Sequence, residues 1–266
     1  MNSDRVTNTD QRAEHVDVFR TNAESNEGVA GDPPLLKSDA SWLCGLLQAG
    51  DSFYPTGSYA HSFGLEGLVL EGAVQDRETL REFLFRSLLP SLRQSELPLA
   101  AHAWRALAAE DWKRVGELCV LSSAMKSARE ARLAAENIGR QRAELVATLR
   151  NDPVAKAFLR RATEERWPFS PAISAVLEGR AVGAPLVAIM TGLMYANIAG
   201  VLSAAVKLLR LGQNACQTLL TETLQEAPGI IVAAEQVPYD EIGWFNPWLD
   251  IASARHETAD ARMFIS

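Results

Sequence analysis

The sequence predicts an all-α protein, a single globular helical domain (39–266) preceded by a disordered N-terminal tail (1–38). Two observations carry that expectation. From Ser41 onward apolar residues recur at intervals of three and four, the period of a helix face, and no sustained alternation marks a strand. The 38 residues before it are polar, rich in Asn, Asp, Glu, Ser and Thr and broken by Gly31-Asp32-Pro33-Pro34. Such a composition buries too little apolar surface to offset the entropy of ordering.

Taken in order, Trp42, Leu43, Leu46 and Leu47 define a first helical face. Leu80, Phe83, Leu84, Leu88 and Leu89 define a second, expected to end near Pro90. Asp111 suits an N-cap and opens a long segment carrying Val115, Leu118, Met125, Ala128, Leu133 and Leu145. Asn151-Asp152-Pro153 stops that helix and starts the next. A two-proline loop, Trp167 to Pro171, precedes a short helix around Ile173 to Leu177. From Ala181 to Val206 no residue is charged, and a buried central helix is expected there. A helix from Gln213 to Glu226 follows, with Pro228 breaking it. The short run Gly229 to Ala234 fits helix or strand, and Tyr239, Trp244, Phe245, Trp248, Met263 and Phe264 lie among turn residues at the end.

Composition narrows the function. With 47% apolar residues and a formal net charge of −7, binding to nucleic acid or an anionic membrane surface is disfavoured. The uncharged run is long enough to cross a bilayer. Pro185, Thr191, Tyr195, Asn197 and Ser203 dilute it, however, and no aromatic or basic belt flanks both ends. Three separated cysteines without C-x-x-C spacing and no leader-like h-region point to free thiols and a cytoplasmic location. No phosphate-binding glycine loop, dinucleotide fingerprint or H-E-x-x-H is present, and the four histidines stand apart. No cofactor or metal site and no enzymatic activity is expected.

Three stretches stand out. In Asp51 to Glu66, Pro55 ends one segment and Thr56 or Ser58 caps a helix that would carry His61 and Glu66 in its first two turns. A rival reading makes Ser58 or Ser62 a nucleophile and His61 its base, a serine-type hydrolase. In Arg210-Leu211-Gly212-Gln213, Arg210 suits a last helical turn and Gly212 a C′ position; the alternative puts Arg210 and Gln213 at a partner's phosphate chemistry. At the end, His256-Glu257 and Arg262-Met263-Phe264-Ile265-Ser266 stay apolar and aromatic where termini are usually frayed. That suggests docking, on the chain's own body or on a partner.

In this order and spacing the three stretches resemble the UreF family of urease accessory proteins. Asp51-Ser52-Phe53-Tyr54-Pro55-Thr56-Gly57-Ser58-Tyr59-Ala60-His61-Ser62-Phe63-Gly64-Leu65-Glu66 is similar to the family's D-S-x-F-P-x-G-S-x-x-H-S-x-G-L-E. Ala205 to Gln213 is similar to A-x-R-L-x-x-L-G-Q, with Lys207 where arginine is usual. Asp250-Ile251 through His256-Glu257 to Arg262-Met263-Phe264-Ile265-Ser266 resembles D-I…H-E…R-L-F-x-S, with Met263 replacing leucine. Glu130 to Gly139 matches an arginine-containing family helix loosely. The resemblance runs from Ser41 to Ser266. It implies a non-catalytic scaffold that works with UreD (UreH in some organisms), the GTPase UreG and apo-urease in nickel insertion, and that forms a dimer within the assembly. On that basis His256, Arg262 and Phe264 are expected to meet the UreD-like partner. Thr56, Gly57, Ser58, His61 and Glu66, with Arg210, Gly212 and Gln213, are expected to shape the surface offered to UreG or a second copy.

Overall fold

A computed structural model describes residues 41–58, 61–257, 259 and 262–264; the expected tail, residues 1–38, lies outside them. The described residues contain thirteen α-helices and no strand. These are α1 (Ser41–Gly50), α2 (Leu65–Leu70), α3 (Arg77–Phe83), α4 (Leu89–Gln94), α5 (Glu96–Ala108), α6 (Trp112–Ala124), α7 (Arg129–Leu149), α8 (Pro153–Glu164), α9 (Pro171–Ala181), α10 (Leu186–Leu208), α11 (Gln213–Leu224), α12 (Ala227–Glu235) and α13 (Pro247–His256).

Side-chain caps set several boundaries where the sequence placed them. Asp111 accepts from the Arg114 amide at 3.0 Å, and Asp152 accepts from Ala155 at 2.7 Å. Each satisfies an N–H with no partner inside its helix. Other boundaries differ. Pro90 does not end its helix, because a π turn at Leu84–Leu88 intervenes and leaves the proline in the first turn of α4, where its missing N–H costs nothing. The long segment from Asp111 divides at Met125–Ala128 into α6 and α7. Pro228 opens α12 rather than only ending α11, so the ambiguous run from Gly229 is helical.

The buried central helix is α9, not α10. Every residue from Ala172 to Gly179 is buried, because α5, α7, α8 and α10 surround this short element and α1 closes on it. Small residues let those neighbours approach: a Cβ on Gly179 would sit 2.3 Å from the Ile189 side chain. Helix α10 is long and apolar enough to cross a membrane by length and composition, yet only 39% of its most apolar window is buried. Ile189, Met190, Met194, Ile198 and Val201 face the core, while Val187 and Tyr195 lie exposed. Absence of charge had suggested enclosure; α10 buries one side and leaves the other open. On α1 the expected face splits in the same way. Trp42 and Leu46 pack inward, whereas Leu43 and Leu47 are exposed.

The α7–α9 seam is the most extensive helix pairing among the described residues. Ser174 Oγ donates to the Gly139 carbonyl at 2.7 Å. A Cβ on Gly139 would stand 2.7 Å from the Ser170 carbonyl carbon, which is backbone and cannot swing aside. Gly139→Ala should therefore destabilise the chain by about 1–3 kcal/mol through overpacking, seen as a lower urea midpoint with an unchanged m-value.

Candidate functional site

Glu66 lies in the first turn of the short helix α2, with Ser62 Oγ accepting its amide at 3.3 Å. Two consecutive left-handed residues, Phe63 (φ 56) and Gly64 (φ 84), turn the chain into that helix. The turn throws the Phe63 ring against Gly200 of α10, where a Cβ would come within 2.7 Å of it. Capping by Thr56 or Ser58 is therefore not what starts this helix. Thr56 Oγ1 and Ser58 Oγ instead hydrogen-bond each other at 3.2 Å, and α2 begins only at Leu65. His61 precedes the helix, its amide donating to the Ser58 carbonyl at 3.2 Å.

The Glu66 carboxylate points inward, with its side chain 4% exposed. Its Oε2 accepts from His256 Nε2 at 2.8 Å and from the Phe264 amide at 3.0 Å. Its Oε1 accepts from the Met263 amide at 2.7 Å. The other imidazole nitrogen of His256 faces Glu130 Oε2 at 3.5 Å, and Arg262 donates to Glu130 Oε1 at 2.7 Å. Lys207, at the end of α10, stands 5.3 Å from the Phe264 ring centroid. The first and last distinctive stretches of the sequence thus meet at one carboxylate. Hydrogen bonds to a charged group contribute about 1.5–3 kcal/mol each. The outlying pairs Arg129–Glu257 and Arg255–Glu71, with one exposed partner each, add little.

Backbone contact allows this junction. Helix α13 lies on α2 so closely that a Cβ on Gly67 would be 2.5 Å from the Ala252 carbonyl oxygen. At Gly64 a Cβ would meet Leu249 Cδ1 at 2.7 Å. Asn246 caps α13 by accepting from the Leu249 amide at 3.3 Å.

Between the 51–58 loop, α7, α10 and the C-terminal segment runs a groove of about 400 Å³, whose lining includes Thr56, Ser58, His61, Phe63, Glu130 and Lys207. Burial pushes the His61 imidazole below its ordinary pKa. Behind the loop, Tyr54 approaches Glu178, and burial raises the pKa of both, the Glu178 carboxyl despite Arg142 at 3.4 Å. Ser62 is fully buried and engaged with the start of α2, and Ser58 with Thr56, so the serine-hydrolase reading gains no support. Among the described residues no group of three or more His, Cys, Asp or Glu side chains is placed to hold a metal ion.

Arg210, Gly212 and Gln213 do not line the groove. Arg210 itself adopts the left-handed conformation (φ 52) that ends α10, in place of the expected last helical turn. Gly212 is the extended N-cap of α11 rather than a C′ residue, and Gln213 is the first residue of that helix. Glu130, which joins His256 to Arg262, is the participant that sequence reasoning passed over. A lone glutamate in an Arg/Glu-rich helix has no local signature.

The fold and this junction define a helical protein whose distant sequence motifs converge to fix its own C-terminal segment against its body. Residues 74–224 match the UreF family. The urease accessory protein UreF of Granulibacter bethesdensis is 34% identical over 219 residues, 80% of this chain and 89% of the relative. That of Corynebacterium efficiens is 27% identical over 220 residues, 83% of this chain and 95% of the relative. The chain belongs to the UreF family of urease accessory proteins. The family match begins after Glu66 and ends before α13, so of the junction it includes Glu130 and Lys207 but neither Glu66 nor the C-terminal segment.

The close backbone approach yields a direct test. Gly67→Ala should force α13 away from α2 and expose the C-terminal segment. Limited trypsin digestion should then cleave at Arg255 and Arg262 at least about tenfold faster than in the unsubstituted chain, a change of about 1.4 kcal/mol or more in local opening.

Proposed function

We propose that this chain is a urease maturation factor, a non-catalytic scaffold that acts with a UreD/UreH-type protein and the GTPase UreG to enable GTP-dependent nickel insertion into apo-urease in the cytoplasm. The observation that carries the reading is the Glu66 junction. It joins the two stretches most similar to the family's motifs and holds His256, Met263 and Phe264 on α2. His256 and Phe264 are buried within the chain and Arg262 is paired with Glu130. Their part is therefore to hold the surface met by the UreD/UreH-type partner. Thr56, Gly57, Ser58 and His61, beside the groove, and Arg210, Gly212 and Gln213, exposed beyond α10, supply the face for UreG or for a second copy in a dimer. Arg210 and Gln213 are the residues through which the scaffold would regulate the UreG GTPase. Nickel in this reading is cargo of the assembly, and the chain needs no cofactor. Neither nucleic acid nor membrane is among its partners.

The test is urease activity in nickel-supplied cells carrying the cognate urease operon with this gene present or deleted. Activity should be lost on deletion and restored by the full chain, but not by a chain trimmed of about ten C-terminal residues, since that removes the Met263 and Phe264 amides from Glu66 and Arg262 from Glu130. Full activity without the gene would overturn the assignment.

A further inference from the structure

Glu178 is the one carboxylate on the enclosed stretch of α9, 1% exposed, and the junction at Glu66 makes no use of it. Its Oε2 stands 3.4 Å from Arg142 Nη1. Among the described residues neither of its oxygens accepts a hydrogen bond, and Arg142 Nε donates none. A buried ion pair is favourable only where hydrogen bonds complete it, and this one is incomplete. Solvation is uneven as well. Arg142 lines the groove with its side chain 16% exposed, whereas Glu178 is not among the lining residues. The guanidinium can keep its charge against water, and the carboxylate cannot. Burial accordingly holds the Glu178 carboxyl above the ordinary carboxylate range, against the pull of Arg142, Tyr54 and Arg150. Among the described residues no charged group of α1, α5, α8 or α10 acts on it, and Arg180, two residues along α9, lies over the Trp104 ring.

The phenol that bears on this carboxyl belongs to the 51–58 loop. Tyr54 stands where the motif this stretch resembles has phenylalanine, so its hydroxyl is particular to this chain. The loop's own hydrogen bonds are local. The Tyr54 amide donates to the Asp51 carbonyl at 3.0 Å and the Thr56 amide to the Tyr54 carbonyl at 2.8 Å, while the Phe53 ring is 92% exposed. A segment tied mainly to itself opens at low cost. Asp51, Ser52, Thr56 and Ser58 line the groove, so the loop has the groove before it and Glu178 behind. A protonated carboxyl can hydrogen-bond the phenol without placing a charge in the interior. An ionised one needs water, which reaches it only if the loop lifts. We propose that Glu178 is a proton-controlled latch on the 51–58 loop, gripping Tyr54 while the carboxyl is protonated and releasing it, with that wall of the groove, once it ionises. Because the folded chain favours the protonated form, the grip is complete at acid pH and is lost as pH rises through the raised carboxyl range.

The experiment follows hydrogen exchange of the full-length chain at about pH 5 and about pH 8, corrected for the intrinsic pH dependence of exchange. Protection of the Tyr54 and Thr56 amides should fall at least about fivefold between the two, while amides of α5 keep theirs. Glu178→Gln keeps the side chain's shape but cannot ionise, and should hold the higher protection at both values. Tyr54→Phe lacks the phenol and should show the lower protection at both. Equal falls in the unsubstituted chain and in Glu178→Gln, or protection that rises with pH, would overturn the latch. So would a Tyr54→Phe variant that keeps the full response. Should Glu178→Gln lose protection throughout the molecule at both values, the carboxylate is ionised and serves only its pair with Arg142, and the latch is again overturned. Urease activity enters none of these readings, so their failure leaves the maturation role standing.

Discussion

Burying a carboxylate is tolerable only where enough donors surround it, and Glu66 meets that condition with donors drawn almost entirely from the far end of the chain. One imidazole N–H and two consecutive backbone amides, from His256, Met263 and Phe264, reach across nearly the whole sequence to its two oxygens. Removing them would leave an uncompensated anion in the interior, and removing Glu66 would leave three donors unpaired, two of them buried and one half-buried. This mutual need makes the C-terminal segment part of the domain. It also accompanies the burial of the Phe264 side chain.

The surrounding features follow from placing that carboxylate. For Glu66 to turn inward in the first turn of α2, the preceding backbone must reverse, and the left-handed Phe63 and Gly64 accomplish this. For α13 to bring His256 within reach, α2 must present no side chain at the crossing, hence Gly67 against the Ala252 carbonyl. For the reversed Phe63 to find room, α10 must be bare at Gly200. The glycines around this junction are thus steric consequences of one electrostatic requirement.

Much of this was legible in the sequence and some was not. The helical class, and the Asp111 and Asp152 caps, followed from local chemistry that tertiary structure did not override. The importance of the Asp51–Glu66 and C-terminal stretches was also visible, but their direct contact was not, since nothing local in a glutamate announces a partner so remote in sequence. Reading Thr56 and Ser58 as helix caps erred because capping preference ignores the backbone reversal at Phe63. The uncharged run of α10 was mistaken for the enclosed helix because lack of charge measures tolerance of burial, not burial. The truly enclosed helix, α9, carries Glu178 and Arg180 and is too short to attract notice. Arg210 shows the same limit: its left-handed backbone is imposed by the packing of α10 and α11, in a position where sequence rules prefer glycine.

The account stands on the interaction between Glu66 and His256, so a double-mutant cycle measures it most directly. Urea unfolding of the unsubstituted chain, Glu66→Gln, His256→Gln and the double variant would give the coupling energy. The structure requires about 1.5 kcal/mol or more, because each side chain loses its value when the other is altered. Additive effects within about 0.5 kcal/mol would mean that the two residues do not act together, and that the C-terminal segment is held by something other than this buried carboxylate.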